Sequence, residues 1–584
     1  MKSCRSPFAA GRGSGVFPLA MFCLAAFICR APAAGVIGTK HDLSAAGPGD
    51  VHAVAEKEVC NFCHTPHRAL EDGPLWNHQM SVATYIPYSS STLHASVGQP
   101  TGSSRLCLSC HDGTVALGGL HNSAAPVPLA NGIVTMADVP GTSANLGTDL
   151  RGHHPVSFVY DAALAAMNGR LKNPSTLDSR VKLENQQVQC TSCHDPHNDD
   201  FGNFLAMDNS SSALCLACHD LPRWTATASH AVSAKSTVSA QVAAISSPSA
   251  AVSSSRFAVK RPATVASHGC DSCHASHRSG SQQSLLASSI PEQNCFTCHN
   301  GTVAAKNIQT DFNKISGHSQ SAIRGEHVAG EDILNAPRHA TCVDCHDPHG
   351  SNPGKAVAPN ASGAIAGVPG VSASGAVLDS ISKEYELCFR CHGDSISRGA
   401  ARVSRQLPQT NTRLEFAPSN RSFHPVVAPG RNTFVPSLMP PWTTASYMYC
   451  TDCHNNDQGP KANGQGANGP HGSQFTPLLE RQLELTDDQF ESPQDYALCY
   501  KCHSRSSILA DQSFRYHKLH VVDQRTACTT CHDSHGSTQP HLINFNTTYV
   551  LPGSMGPISY RSEGVMHGTC TLKCHGVDHN NSTY

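Results

Sequence analysis

Thiols and imidazoles carry the chemistry available to this chain, which has 27 cysteines and 36 histidines. Eleven times they fall as C-x-x-C-H. The first six copies are Cys60-Cys63-His64, Cys107-Cys110-His111, Cys190-Cys193-His194, Cys215-Cys218-His219, Cys270-Cys273-His274 and Cys295-Cys298-His299. Cys342-Cys345-His346, Cys388-Cys391-His392, Cys450-Cys453-His454, Cys499-Cys502-His503 and Cys528-Cys531-His532 complete them. Cys4, Cys23 and Cys29 lie near the start, and Cys570-Cys574-His575 is written C-x-x-x-C-H. Two thiols three residues apart can reach the two vinyl groups of one porphyrin edge as thioethers, and the adjacent histidine then falls under the iron. On a helical turn, residues i, i+3 and i+4 share one face. Zinc knuckles and redox C-x-x-C sites also use paired thiols. Neither they nor disulfides require a histidine after every copy. The expectation is twelve haem c groups, with the last at Cys570 and Cys574, where a local disulfide is the alternative.

The motifs alternate between two kinds, an internal repeat. The first kind carries a trailing histidine three residues on, at His67, His197, His277, His349 and His535; a Gly/Asn-rich insertion displaces the sixth to His471. Three residues span at most ~10 Å, too short to round a porphyrin edge and return to the opposite face. Each trailing histidine is therefore expected to ligate the second haem of its own pair. The first haem of each pair then needs an upstream histidine, and the candidates are His41, His154, His230, His318, His424 and His520. His52, His153, His268, His339 and His517 are rivals for those places. Methionine recurs at no fixed offset from the motifs, so bis-histidine ligation is expected throughout. An iron with both axial positions filled passes electrons and has no open site for substrate.

KHDLS, CNFCHTPH, CLSCHDGTVA, GHHPVSF, CVDCHDPHG and CHDSHGS give the chain its resemblance to the paired C-x-x-C-H multihaem c-type cytochromes of metal-reducing bacteria, over residues 38–576. The resemblance implies closely packed bis-histidine haems that carry electrons across the periplasm, through the outer membrane or along extracellular surfaces. It also implies distal roles for His41, His154, His67, His197 and His349. The C-x-x-x-C-H ending, the displaced His471 and His268 beside a motif depart from the pattern.

The elements that must hold these residues read as coil-rich, with short α-helices, little sheet and haems forming the core. Aromatics are 6% of 584 residues and Gly plus Pro take 82 positions, which argues against one large side-chain core. Residues before the second kind of motif, such as SKEYE (382–386) and SPQDY (492–496), suit short capped helices. The stretches 231–267, 351–380 and 455–469 lack periodicity and read as loops or linkers. Four-haem segments are placed at 35–225, 226–400 and 401–584, without being read as independent domains. Residues 1–34 read as a cleaved signal peptide, with Lys2, Arg5 and Arg12 before the apolar run 16–29 and small residues at 31–34. An uncleaved anchor is the alternative. Cys23 and Cys29 follow Phe22 and Ile28, not the small residue a lipoprotein signal needs.

The expected compartment is the periplasm or the outer surface, with no transmembrane span after cleavage. Formal charge is −2 and falls to about −6 without residues 1–34, then to about −18 if each ferric haem with two propionates adds about −1. Nucleic acid is excluded as a partner on that charge. Other redox proteins, extracellular metal oxides and a homopolymer remain. Trp76, Trp224 and Trp442 are expected to pack against porphyrin. The leading function is an electron-transfer conduit with no catalytic residue. A reductase of a nitrogen or sulfur oxyanion and a filament subunit are the alternatives.

Overall fold

A computed structural model describes residues 35–237, 264–318, 332–337, 339–396 and 398–584. The proposed signal peptide and residues 238–263 of the expected 231–267 linker lie outside them. The chain is coil-rich with short helices and small sheets, as its composition suggests. The longest helix among the described residues, Gly102–His111, has ten residues. No helix among them is long and apolar enough to cross a membrane.

Helices occur where the motifs are. In motifs of the first kind the cysteines sit on a single turn, such as the 3-10 turns Val59–Phe62 and Cys450–Asp452 or the four-residue helix Cys342–Cys345. Motifs of the second kind end longer helices such as Gly102–His111 and Glu384–His392. The Glu384–His392 helix starts where the sequence signals it. Glu386 accepts hydrogen bonds from the backbone N–H groups of Ser382 and Lys383, closing its first turn. In SPQDY the helix begins later, at Ala497.

Apolar side chains gather in six small clusters of three to seven buried residues, not in one core. The largest holds Val371, Tyr385, Phe389, Phe416, Phe423, Val426 and Met448. It corrects the reading of 351–380 as a linker. Gly370–Val371 pairs with Val377–Leu378 as a hairpin, and Val371 is fully buried against Phe389. The same cluster crosses the 400/401 boundary between two of the expected segments.

Two kinds of strand contact matter for the site. Ser422–Phe423 pairs with Gly536–Ser537, tying His424 to His535. Similar backbone bonds join Ser279 to Gly152, Ser229 to Ser351, and Ser316 to Ser473. The second kind is a C-terminal antiparallel sheet that the sequence reading did not anticipate. Its strands are Val550–Leu551, Ser559–Gly564, His567–Cys574 and Val577–Thr583, with His567–Cys574 bonded to the other three. His575 and Gly576, at φ +48° and +81°, form the two-residue turn between the last two strands. Positive φ at both positions is the turn that matches strand twist.

Phe389 has no exposed surface. Phe389→Ala is expected to lower holoprotein stability by about 3–5 kcal/mol, read as an earlier denaturation midpoint.

Candidate metal centre

In all eleven C-x-x-C-H copies the histidine closes a helical turn. His64 N–H donates to the Cys60 carbonyl at 2.8 Å, and His194, His274, His346 and His454 each donate to their own first cysteine at 2.9 Å. The turn brings both thiols and the imidazole onto one side.

Opposite each of these histidines stands a second one. Ring centroids are 6.1 Å apart for His111–His41, 6.0 Å for His64–His197, 6.4 Å for His219–His154 and 6.2 Å for His194–His277. They are 6.1 Å for His299–His230, His274–His349 and His346–His471, and 6.3 Å for His392–His318. His503–His424, His454–His535 and His532–His517 lie at 6.5, 6.1 and 6.4 Å. Two imidazoles sharing one metal need this spacing, because two bonds of about 2 Å plus two half-rings put the centroids about 6.3 Å apart. Ordinary ring pairs scatter over ~4.5–7 Å, whereas all eleven histidine pairs keep to 6.0–6.5 Å. The residues therefore fit a six-coordinate haem iron at each of eleven motifs.

The partners differ from those expected by chain reach. A trailing histidine does not face the second motif of its own pair. It faces the first motif of the preceding pair, as His197 faces His64 and His535 faces His454. Upstream histidines face second motifs: His41 faces His111, and His424 faces His503. Reach excludes a residue's own haem but leaves neighbours on both sides open, and the fold lays each trailing loop back on the preceding pair. His67, the first trailing histidine, has no preceding pair and sits exposed, facing no motif histidine among the described residues. His517, not His520, faces His532.

One loop serves both centres of the pair it covers. The residue before each trailing histidine accepts from the upstream histidine's Nδ1: Pro196 from His41 at 3.2 Å, Pro348 from His230 at 2.9 Å, Pro470 from His318 at 3.1 Å, and Ser534 from His424. In the second pair the bond is from His154 N–H to the Ser276 carbonyl, 2.8 Å. With Nδ1 committed to a carbonyl, Nε2 is left for metal. The displaced His471 keeps its place because the insertion is pinched at its base. Asn456 N–H donates to the Gly469 carbonyl at 3.1 Å, and Gly469 N–H to Asn455 Oδ1. Gly469 has φ +109°, and a Cβ there would stand 2.9 Å from the His471 ring.

The rivals have other contacts. His153 Nδ1 lies 3.2 Å from His277 Nδ1, and His52 Nδ1 lies 2.9 Å from the Gly49 carbonyl. His339 Nε2 is 3.4 Å from Asp344, and the His268 carbonyl accepts from Ser212. Trp76 and Trp224 set their edges against His64 and His349, and Trp442 packs on the largest cluster.

Burial keeps eight of the facing imidazoles uncharged. It pushes His219, His277, His349, His454, His471, His503, His517 and His532 down to about 4, so at neutral pH each ring keeps a lone pair for metal. His535 differs. Burial works against its charge, but the Glu415 carboxylate, 2.8 Å from Nδ1, holds it above the usual imidazole range. Glu415, Asp533 and His535 converge here, and Glu415 is the outer partner of a distal histidine.

The attachment thiols succeed one another in sequence order. The thiols of Cys107 and Cys190, Cys215 and Cys270, Cys295 and Cys342, and Cys388 and Cys450 lie close enough to interact, each contact linking one pair to the next. Contact with Cys215 draws Cys270 down to about 6. Within pairs, burial and then the charge of Cys110 push Cys63 up to about 12, and Cys218 acts likewise on Cys193.

The C-x-x-x-C-H segment is built on a strand and not on a helical turn. Cys570 and Cys574 lie on the strand His567–Cys574, and His575 at the hairpin tip bonds Asp487 Oδ2 through Nε2 at 2.8 Å. His575 faces no second histidine among the described residues.

A family of proteins with a doubled CXXCH motif matches residues 184–222, 263–304 and 520–550. No curated protein matches the chain. Together with the motif turns, the match supports a multihaem c-type cytochrome with covalently bound haem c, the class of protein that transfers electrons.

Holoprotein carrying His197→Ala is expected to show one high-spin ferric iron by electron paramagnetic resonance, and His67→Ala none; a high-spin iron in His67→Ala as well would restore the pairing expected from reach. A carboxylate partner makes an axial imidazole a stronger donor and favours ferric iron. Glu415→Gln is therefore expected to raise one site's potential by about 60–120 mV, a ten- to hundredfold change at about 59 mV per decade, in spectroelectrochemical titration.

Proposed function

We propose that this chain is an electron-transfer conduit, exported from the cytoplasm, that passes electrons along its length to an external acceptor such as a metal oxide or a partner cytochrome. The observation that carries the reading is the second imidazole opposite each of eleven motif histidines. Bound haem c supplies a one-electron ferric/ferrous couple. Two facing imidazoles of the chain would hold each iron, most of them oriented through Nδ1, and neighbouring attachment cysteines would set successive groups side by side. Serial thiol contacts support a relay whose spatial order follows the sequence. A chain near −18 when loaded suits basic carriers and metal-bearing surfaces.

A reductase of a nitrogen or sulfur oxyanion would need an iron with one side open, and the second imidazole opposite each of eleven motif histidines supports the conduit over it. One observation favours the filament reading as a secondary role. His67 is an exposed histidine of the trailing type that faces no motif histidine among the described residues, a ligand available to a neighbouring molecule.

Carbon monoxide tests the proposal. The native reduced protein is expected to bind none at neutral pH; stoichiometric binding with turnover of nitrite or sulfite would replace the conduit by a reductase.

A further inference from the structure

The C-terminal sheet contains a histidine pair that the eleven motifs do not use. His520 and His579 stand with ring centroids 6.2 Å apart and planes at 33°, inside the 6.0–6.5 Å range of the eleven pairs. His520 Nδ1 is held by the Tyr516 carbonyl at 2.7 Å, the same restraint that orients His41, His230 and His318. It lies three residues after His517, so one stretch presents two imidazoles to two centres.

Strand register brings His579 to the orphan thiols. His579 pairs directly with Leu572 across the last two strands. Directly opposed residues point to one face of a sheet, and so do residues two apart on a strand. Cys570, Leu572, Cys574 and His579 therefore share a face. That face turns inward: Cys570 and Cys574 pack around buried Leu572 with Cys531, the second thiol of the eleventh motif. A continuous cavity of about 3860 Å³, several times the ~300–1,000 Å³ of a single-ligand pocket, runs along the motifs from Cys270 to this face. Its walls include His520, Cys570, Cys574 and His579 but not His575. His575 is engaged elsewhere, with Nε2 on Asp487, whose other oxygen accepts from Ala527 N–H and the Thr530 hydroxyl.

We propose that a twelfth haem is held here with His520 and His579 as its axial ligands, and that His575, despite following Cys574, ligates no iron. The proposal rests on the cytochrome reading above. On a strand the two thiols are about 13 Å apart, against ~5–6 Å on a helical turn, so they cannot both meet one porphyrin edge as the other eleven pairs do. One thioether forms here. One thiol adds S–H across a vinyl double bond, sulfur to the α carbon and hydrogen to the β carbon, with no leaving group and no change of oxidation state.

The test uses exported full-length holoprotein, read by intact mass and by electron paramagnetic resonance, with carbon monoxide binding after reduction. The wild type is expected to carry twelve haems, all low-spin. His575→Gln keeps a donor for Asp487, and His575→Gln and His575→Ala are both expected to keep twelve low-spin haems. His579→Ala and His520→Ala are each expected to give one high-spin, carbon monoxide-binding iron or to lose one haem, with eleven low-spin signals reporting an intact fold. Loss of the twelfth haem in His575→Gln, an unchanged spectrum in His579→Ala, or a wild-type mass of eleven haems would overturn the proposal. A wild-type mass of eleven low-spin haems would overturn this proposal and leave the conduit reading standing, so the two failures are distinguishable.

Discussion

Everything else in this molecule depends on holding two imidazoles about 6 Å apart, face after face, with very little regular structure to do it. A carbonyl on the Nδ1 of most of these rings and short backbone bridges beside the loops supply the rigidity that longer helices or a sheet would supply elsewhere. The trailing tripeptide is the economical part. Its histidine enters one centre while the carbonyl before it orients the ligand of the next. Four prolines and serines in that position, from Pro196 to Ser534, therefore act on the opposite centre from the histidine beside them.

Much of this was legible as residue types and little of it as partners. The eleven motif turns follow from spacing, because C-x-x-C-H closes one helical turn wherever it occurs. The set of histidines facing them follows almost completely from their recurrence; only His67 and His520 leave the set and His517 joins it. Which histidine meets which motif did not follow. Reach along the chain excludes one arrangement and cannot rank the two that remain, since the choice is made by bridges such as Ser316–Ser473 between residues far apart in sequence. The linker at 351–380 misled for a related reason: Gly, Ala and Ser there conceal a two-residue strand whose one buried valine, Val371, completes a cluster. The C-terminal sheet was invisible because its strands are polar on one face and carry thiols on the other.

Polar chemistry around the paired rings is not uniform, and that gives the sites different electronic settings on one repeated frame. Most rings lean on a carbonyl. His503 leans on the Ser437 hydroxyl at 3.0 Å, His535 on a carboxylate, and His471 has a buried Nδ1 with no hydrogen-bond partner. A neutral dipole, a full negative charge and an unpaired N–H make progressively weaker or stronger donors of the opposite nitrogen. A chain of near-identical centres can thus be graded in potential without altering a single ligand.

The backward-folded loops also give the chain a direction in time. Each pair is closed by a histidine that lies beyond it in the sequence, so a chain threaded amino end first emerges with its newest pair always incomplete. His64 waits for His197, and His346 waits for His471 more than a hundred residues later. Completion advances like a zip that is one tooth behind its slider.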